Sequence, residues 1–578
     1  MSELVAARKT SIPAYAAVVI LGSAVGVAGV LLSTNQFIAL LAGLLLMAIA
    51  LAKTEFAIAL LVAVAPLTNL KVDLGPIPLD AVTICTAIVI FSYAINNLGK
   101  NENRISPPFS WAFIAFLVFG AVSAVVAPSI VDSVSVLTRF IGYFLLVYII
   151  GNSIKSKEML TRILVLMVVI GALTALFGIY QYLYEPQTAK IGLYDLDQEV
   201  AARVGSTFEN PNFYAEYLVL LIPIGLALVL GSRGLFRRFM MGGATLLMFA
   251  GLILTYTRGS WLATGIGVIL MSLLTKAWLF WVWVGLFAVA FVAAPGVASR
   301  LESISNVTGG TAGFRMKLWR IASGIIQEHP LLGIGIGNYY NVFTEYIFRH
   351  PELSVGWVIY GAHNSYLTIW AETGIFGIIS FIAIILISIK YGLYLAQAKA
   401  KDKYLSWINS AIFAGVVGFS INSLTSNSFH HPQGAVFFWI MLGLQVAING
   451  LEPEPSKTET TPAVAGSLIL RPFRVSLIAL KAAYLSHPVH KFFAGLGGAW
   501  RKSDIANWLY KKPAAPAFFR ESRSFKPVLG FFKTSRVWFE NSWLFSMLRD
   551  VGARPFITAA LFITATALVR FLTTTVVR

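Results

Sequence analysis

The chain repeatedly runs for close to twenty residues with almost no ionisable group, and few folds can accommodate stretches of that kind. About 20 apolar residues in a helix cross a hydrocarbon core roughly 30 Å thick, where the backbone must satisfy its own hydrogen bonds. About fourteen such stretches stand along the chain, at 12–32, 37–52, 55–67, 79–97, 109–127, 133–152, 160–183, 213–231, 240–257, 261–275, 277–295, 365–395, 408–426 and 434–450. All are read as helices. The second and third are short and separated only by Lys53 and Thr54, a spacing compatible with a re-entrant pair. The first follows Arg8 and Lys9 but is long for a signal-peptide core and lacks a convincing cleavage site, so it is read as retained.

Composition agrees. The chain is 57% hydrophobic and 12% charged, with a mean hydropathy of +0.76. Soluble domains carry about 25% charge, so a soluble globular body of this size is excluded. Cys85 is the only cysteine, which excludes an intrachain disulfide framework and a multi-cysteine metal site. The expected fold is an all-α polytopic membrane protein with about 12–14 transmembrane helices, a long outer (periplasmic) loop at 296–364 and a basic cytoplasmic tail.

Basic residues in short loops near span ends mark the cytoplasmic side. With the N-terminus inside, Lys100 and Arg104, then Lys155 and Lys157, then Arg233, Arg237 and Arg238, then Lys276, then Lys399, Lys401 and Lys403 all fall inside. The alternation puts the segments 184–212 and 296–364 on the outer face of the cytoplasmic (inner) membrane, with both termini inside. Residues 1–450 therefore read as the membrane domain and 451–578 as a separate tail. That tail holds 18 basic and 7 acidic residues, a difference of 11 out of a net charge of +18. Its interleaved aromatic and basic residues suit interfacial helices on anionic lipid, and nucleic acid is not expected as a partner.

Ionisable groups inside or at the lip of a span are expensive and point to function. Arg258 ends the ninth span, Glu216 opens the eighth, and Arg139 and Glu372 lie about two helical turns below the outer surface, roughly 10 Å at 1.5 Å per residue. Arg203 and Arg315 lie in the outer loops and His363 just before the twelfth span. A guanidinium is permanently charged and pairs bidentately with phosphate oxygens, so arginines at headgroup height suit a lipid-linked phosphate or diphosphate. The bland reading of Arg258 is an anchor for lipid headgroups, and that of Arg315 a surface charge. Their coincidence with His363 on one side favours the functional reading.

His363-Asn364 is followed by nine residues and then Gly374-Ile375-Phe376-Gly377. From His363, the positions Leu367, Trp370, Gly374 and Gly377 recur at steps of four and three, which predicts one face of a continuous helix with room for a close neighbour. A histidine held at the head of such a helix can accept a proton from a hydroxyl near neutral pH. Its bland counterpart is an interfacial polar residue.

Four stretches resemble the O-antigen ligase and polymerase family of polytopic membrane proteins: Arg203 through Asn212, Thr255-Tyr-Thr-Arg-Gly259, Phe314-Arg315 running to Gly335, and the histidine motif. The likeness is strongest over 200–450 and looser before it; the tail departs from a minimal ligase. The resemblance implies a glycosyltransferase that moves a glycan from a polyprenyl-diphosphate carrier to an acceptor hydroxyl on lipid A-core or another surface acceptor. It implies no metal and no cofactor. By motif match, Arg258 and Arg315 would hold the donor diphosphate and stabilise it as the leaving group, while His363 would orient or deprotonate the acceptor. Arg139 and Arg203 are expected as second-tier phosphate or sugar contacts, with Asn210, Asn212 and Asn364 as polar positioning groups. Glu372 is read as structural, pairing with an arginine.

Two other readings remain open at this level. A polymerase would use a second lipid-linked glycan as acceptor, and some members of the broader family have been proposed to act in bicarbonate accumulation. A transporter needs polar groups through both leaflets, whereas an enzyme needs a site opening outward. Gly333-Ile-Gly-Ile-Gly337 imitates a nucleotide loop without a Walker lysine and is read as a turn. The Asn306-Val307-Thr308 sequon and the scattered His350, His430 and His431 add no site.

Overall fold

The computed structural model describes residues 43, 46–67, 71–73, 78–97, 104–184, 203–208, 210–293, 310–354, 361–400 and 402–451. The expected span at 12–32, the sequon and the tail after 451 lie outside the described residues. Helices dominate because the apolar stretches are punctuated by residues that cap helix ends. Asp80 Oδ1 accepts the Thr83 N–H at 2.7 Å, Ser129 Oγ that of Asp132 at 3.3 Å, Asn210 Oδ1 that of Asn212 at 2.9 Å, and Asp402 Oδ1 that of Leu405 at 3.1 Å. The helices that result are α1 (Thr54–Val64), α2 (Ala81–Asn97), α3 (Ser110–Ser123), α4 (Ile130–Ser153), α5 (Lys157–Tyr184), α6 (Pro211–Gly231), α7 (Leu235–Leu254), α8 (Arg258–Leu274) and α9 (Trp278–Ala293). They continue with α10 (Gly310–Glu328), α11 (Tyr339–Arg349), α12 (Ser365–Ala398), α13 (Lys403–Asn422) and α14 (Pro432–Gly450). A three-residue antiparallel pair, β1 (Lys71–Asp73) with β2 (Pro78–Asp80), precedes α2.

Among the described residues seven helices, α4 to α7 and α12 to α14, are long and apolar enough to cross a membrane, and five shorter apolar helices accompany them. The all-α polytopic expectation holds. Lys53 is extended ahead of α1, the break read between the second and third stretches.

Small residues let the central helices touch backbone to backbone. A Cβ on Gly267 of α8 would stand 2.8 Å from the Ala414 carbonyl of α13, and one on Gly415 3.1 Å from the Leu220 carbonyl of α6. An aromatic column fills the rest: Trp439 of α14 stacks on Tyr143 of α4 with centroids 5.8 Å apart, and Phe113 of α3 meets Trp439 edge-on at 5.1 Å.

The bundle has two chemically distinct ends. One carries the basic turns, where Lys157 pairs with Asp402, Lys399 Nζ donates to the Asn449 carbonyl at 3.3 Å, and Asn152 clasps the backbone of Ile105. Every candidate residue of the sequence reading lies toward the other end.

The long segment 296–364 differs from a plain loop. Its described part contains α10 and α11, which fold around their own core of Leu318, Ile321, Ile325, Tyr339, Phe343 and Tyr346. Arg349 reaches back to Glu328 with paired contacts of 3.1 and 2.8 Å, fastening α11 to α10.

Candidate active site

The connection between α10 and α11 is the keystone. Gly333, Gly335 and Gly337 all have positive φ, at 70°, 98° and 80°. The segment is a turn, as expected, and it docks. A Cβ on Gly333 would lie 2.5 Å from the Glu372 carbonyl of α12, and one on Gly337 2.9 Å from the Asp132 carbonyl of α4.

Its receptor is a break in α12. The continuous helical face expected from His363 to Gly377 stops at Gly374, whose φ of 65° and ψ of −171° leave the helix. The physical reason is the docked turn. The Ile334 N–H donates to the Ala371 carbonyl at 2.9 Å, Gly335 to Glu372 at 3.0 Å, and Ile375 to the Pro330 carbonyl at 3.0 Å. Groups freed by the break are thereby re-satisfied inside protein, the condition for broken helices at membrane depth. Gly374 makes room for the Leu331 backbone and Gly377 for the Thr373 side chain of its own helix, so neither serves the helix–helix contact the spacing implied.

At the head of α12, Asn364 is the N-cap: its Oδ1 accepts from the Tyr366 and Leu367 N–H groups at 3.0 and 3.1 Å. The chain turns into that cap through His363, which takes a left-handed φ of 47°, uncommon outside glycine but tolerated by histidine. The imidazole is pushed down to about 4 from an ordinary 6.5, by burial first and then by the Arg315 charge. Arg315, on the second turn of α10, is thus brought beside His363. At neutral pH the ring is neutral and holds a free lone pair.

The polar connection between α13 and α14 supports the same point. Ser365 donates its N–H to the Ser423 and Ser426 carbonyls at 2.9 and 3.0 Å, and its hydroxyl again to Ser426. The expected span over 408–426 ends instead at Asn422, because Asn422 through Ser428 offer side-chain alternatives to helix continuation. Ser260 Oγ donates to Asn422 Oδ1 at 2.9 Å, and a Cβ on Gly259 would meet Thr425 Oγ1 at 2.8 Å. One connection therefore grips both the start of α8, where Arg258 stands, and the start of α12, beside His363.

Arg258 begins α8 and does not end the preceding helix. That helix stops at Leu254, and Tyr256 turns the chain at a left-handed φ of 50°. Arg203 locks the turn: its Nε donates to the Thr255 carbonyl at 2.9 Å and its terminal nitrogen to Asn212 Oδ1 at 2.9 Å and Thr257 Oγ1 at 3.0 Å. With Asn210 capping α6, the residues Arg203, Asn210 and Asn212 form a structural knot that sets the position of Arg258.

Arg139, on the third turn of α4, has no hydrogen-bond or ion-pair partner among the described residues, and it lies close enough to His431 to act on it. His431 is pushed down to about 3 by burial, with the charges of His430, His363 and Arg139 adding to the effect, and its ring lies 3.6 Å from that of Phe213. Glu372 meets His430 Nε2 at 3.4 Å and accepts the Tyr339 N–H at 3.2 Å; the arginine partner expected for it is replaced by a histidine and a helix start. Buried Glu216 accepts from Ser426 Oγ. The roles of His430, His431 and Ser426 were not read from sequence, although the polar run 422–431 interrupting apolar sequence carried the signal. No group of three or more metal-ligating side chains occurs among the described residues.

Residues 243–382 match the family described as O-antigen ligase. Over this stretch the chain is similar to the O-antigen ligase family. The ligase-family segment runs from α7 through the break in α12 and holds Arg258, Arg315 and His363, whereas Arg139, Arg203 and the 422–431 connection lie outside it. An O-antigen ligase from Salmonella typhimurium is 29% identical over 145 residues, a match that covers 22% of this chain and 34% of that protein. The chain thus spans about a third of the length of this curated relative.

Proposed function

We propose that the protein is a glycosyltransferase of the O-antigen ligase type, which moves a glycan from a polyprenyl-diphosphate carrier to an acceptor hydroxyl on lipid A-core or another surface acceptor. The observation that carries the reading is the placement of half-buried His363, in its left-handed turn at the head of α12, within electrostatic reach of the permanently charged Arg315 of α10. The acceptor oxygen attacks the sugar carbon bonded to the carrier phosphate. That carbon–oxygen bond breaks, the electron pair leaves on the diphosphate, and the hydroxyl proton passes to the imidazole. An imidazole held near 4 is a weak base in the empty site. A bound diphosphate offsets the Arg315 charge and favours the imidazolium as negative charge grows on the leaving group.

Arg315 and Arg258 hold that diphosphate, a task divalent cations perform in many glycosyltransferases. Asn364, with its carbonyl oxygen committed to the cap, has its amide nitrogen to offer a substrate. Glu216 and Glu372, buried within membrane-crossing helices, lie about two turns or less from the end that holds His363, which favours a site open at one end over a path through both leaflets. The basic turns at the opposite end favour the periplasmic face for that site.

The test is transfer by purified full-length protein in vesicles, with a polyprenyl-diphosphate glycan as donor and lipid A-core as acceptor. Wild type yields glycosylated acceptor and free carrier diphosphate; His363→Asn yields neither. Asparagine tolerates the left-handed backbone but cannot act as the base, so transfer by this variant would refute the assignment. Glycan lengthened on its carrier with a bare acceptor would identify a polymerase.

A further inference from the structure

Outside the site just described, α10 and α11 enclose an open groove of about 410 Å³, within the range of small-molecule sites. Trp319, Arg320, Ser323 and Gln327 of α10 and Tyr346 of α11 line it, with Met316 at one edge. Gly324 forms its floor, where the Tyr346 hydroxyl lies against the helix backbone so closely that no side chain fits. The opposite face of α10, with Leu318, Ile321 and Ile325, is consumed by the core together with Tyr346, so the groove residues that α10 itself contributes lie outside that core. The Trp319 indole N–H is shielded from solvent and has no hydrogen-bond partner among the described residues. Met316, Arg320 and Gln327 are exposed.

We infer that this groove is a binding subsite for the sugar rings of the donor glycan, an inference that rests on the glycosyl-transfer reading. Aromatic faces take the apolar C–H faces of pyranose rings, while guanidinium, hydroxyl and amide groups bond their hydroxyls. An open groove lets a polymer slide in and out, as an enclosed pocket would not. Position decides which glycan. Arg315 stands one turn before Trp319, about 6 Å along the helix, and Gln327 about 18 Å along it. A donor whose diphosphate rests on Arg315 therefore has its sugars directed along α10 into the groove. The subsite acts on binding and leaves the bond-making step to His363, so its removal raises KM for long donors and spares kcat.

The experiment uses full-length protein. Calorimetry follows binding of the host glycan released from its carrier, and kinetics compare a carrier bearing a complete repeat with one bearing a single N-acetylhexosamine. In Trp319→Ala, affinity for the free glycan falls about tenfold or more, KM for the long donor rises in proportion, and kcat changes little. The exposed pair Arg320→Ala with Gln327→Ala gives the same direction without disturbing the core. Unchanged binding in both variants overturns the subsite, as does an equal loss on long and short donors. If wild type transfers neither donor, the transfer reading falls, while glycan binding that depends on Trp319 still supports the groove and its absence removes it.

Discussion

Arg203 Nε donates to the Thr255 carbonyl at 2.9 Å, and this bond holds the end of one membrane helix against the loop that opens another. Removing the guanidinium leaves Asn212, Thr255 and Thr257 without its bonds. Arg203→Ala is expected to destabilise the fold by about 1–3 kcal/mol, with kcat falling as Arg258 loses its support. Thermal unfolding together with the KM for donor checks this. A donor KM raised tenfold at unchanged Tm would show instead that Arg203 touches substrate.

Arg315→Gln removes one of the two influences that hold His363 near 4. The His363 pKa is expected to rise toward its ordinary 6.5, and the acidic limb of residual transfer activity to move up with it. Wild-type kcat/KM, which reports the free protein, should stay flat from neutrality down to about pH 5 as far as this group is concerned. A pH–rate profile of both proteins, or a ring-proton titration of His363, reads the difference.

Stability has its own pH dependence. His363 and His431 have folded values of about 4 and about 3, below their ordinary 6.5, so the unfolded chain binds more protons between those limits. Their contribution is fully present above about pH 6.5 and lost as pH falls through the folded values. Tm should therefore drop on acidification from 6.5 to 4, and His363→Asn should flatten part of that slope.

Gly374→Ala sets a Cβ into the Leu331 backbone at a left-handed φ of 65°. The backbone term alone costs about 1–2 kcal/mol, and the clash adds to it. The expected result is undocking of the 330–337 turn, read as faster proteolysis within 310–349 and loss of transfer, with membrane insertion unchanged.

Deletion of residues 452–578 is expected to leave transfer by purified protein intact while reducing its affinity for anionic vesicles at low salt. Loss of all transfer would move the functional boundary past residue 451.

Much of the fold was legible because bilayer thickness prints itself on sequence. Spans such as 133–152 and 213–231 fall inside α4 and α6, and the alternation of basic turns matches the two ends of the bundle. Helix ends at the site were misjudged for a local reason: the turn at Tyr256 depends on Arg203, some fifty positions earlier, and no window along the chain sees that contact. The break in α12 was hidden likewise, since Gly374 fits the heptad-like spacing of a continuous helix and only the arriving turn makes it depart. Arg315 beside His363 followed from motif likeness, yet the structural duties of Arg203, Asn210 and Asn364 did not, because a polar side chain that caps a helix reads in sequence like one that meets a ligand.

The break at Gly374 also imposes an order on synthesis. Asp132 and Ser133 of α4, which meet Gly337 and Ile336 on one side of the 330–337 turn, leave the ribosome some two hundred residues ahead of it. The carbonyls of Ala371 and Glu372 that receive its other side emerge only afterwards. During that interval α10 and α11 stand with half of their seat missing. The segments that follow, through α14, thus close a structure whose cap of α10 and α11 has been waiting for them, and a chain halted before α12 would carry every arginine of the site in a form that cannot assemble it.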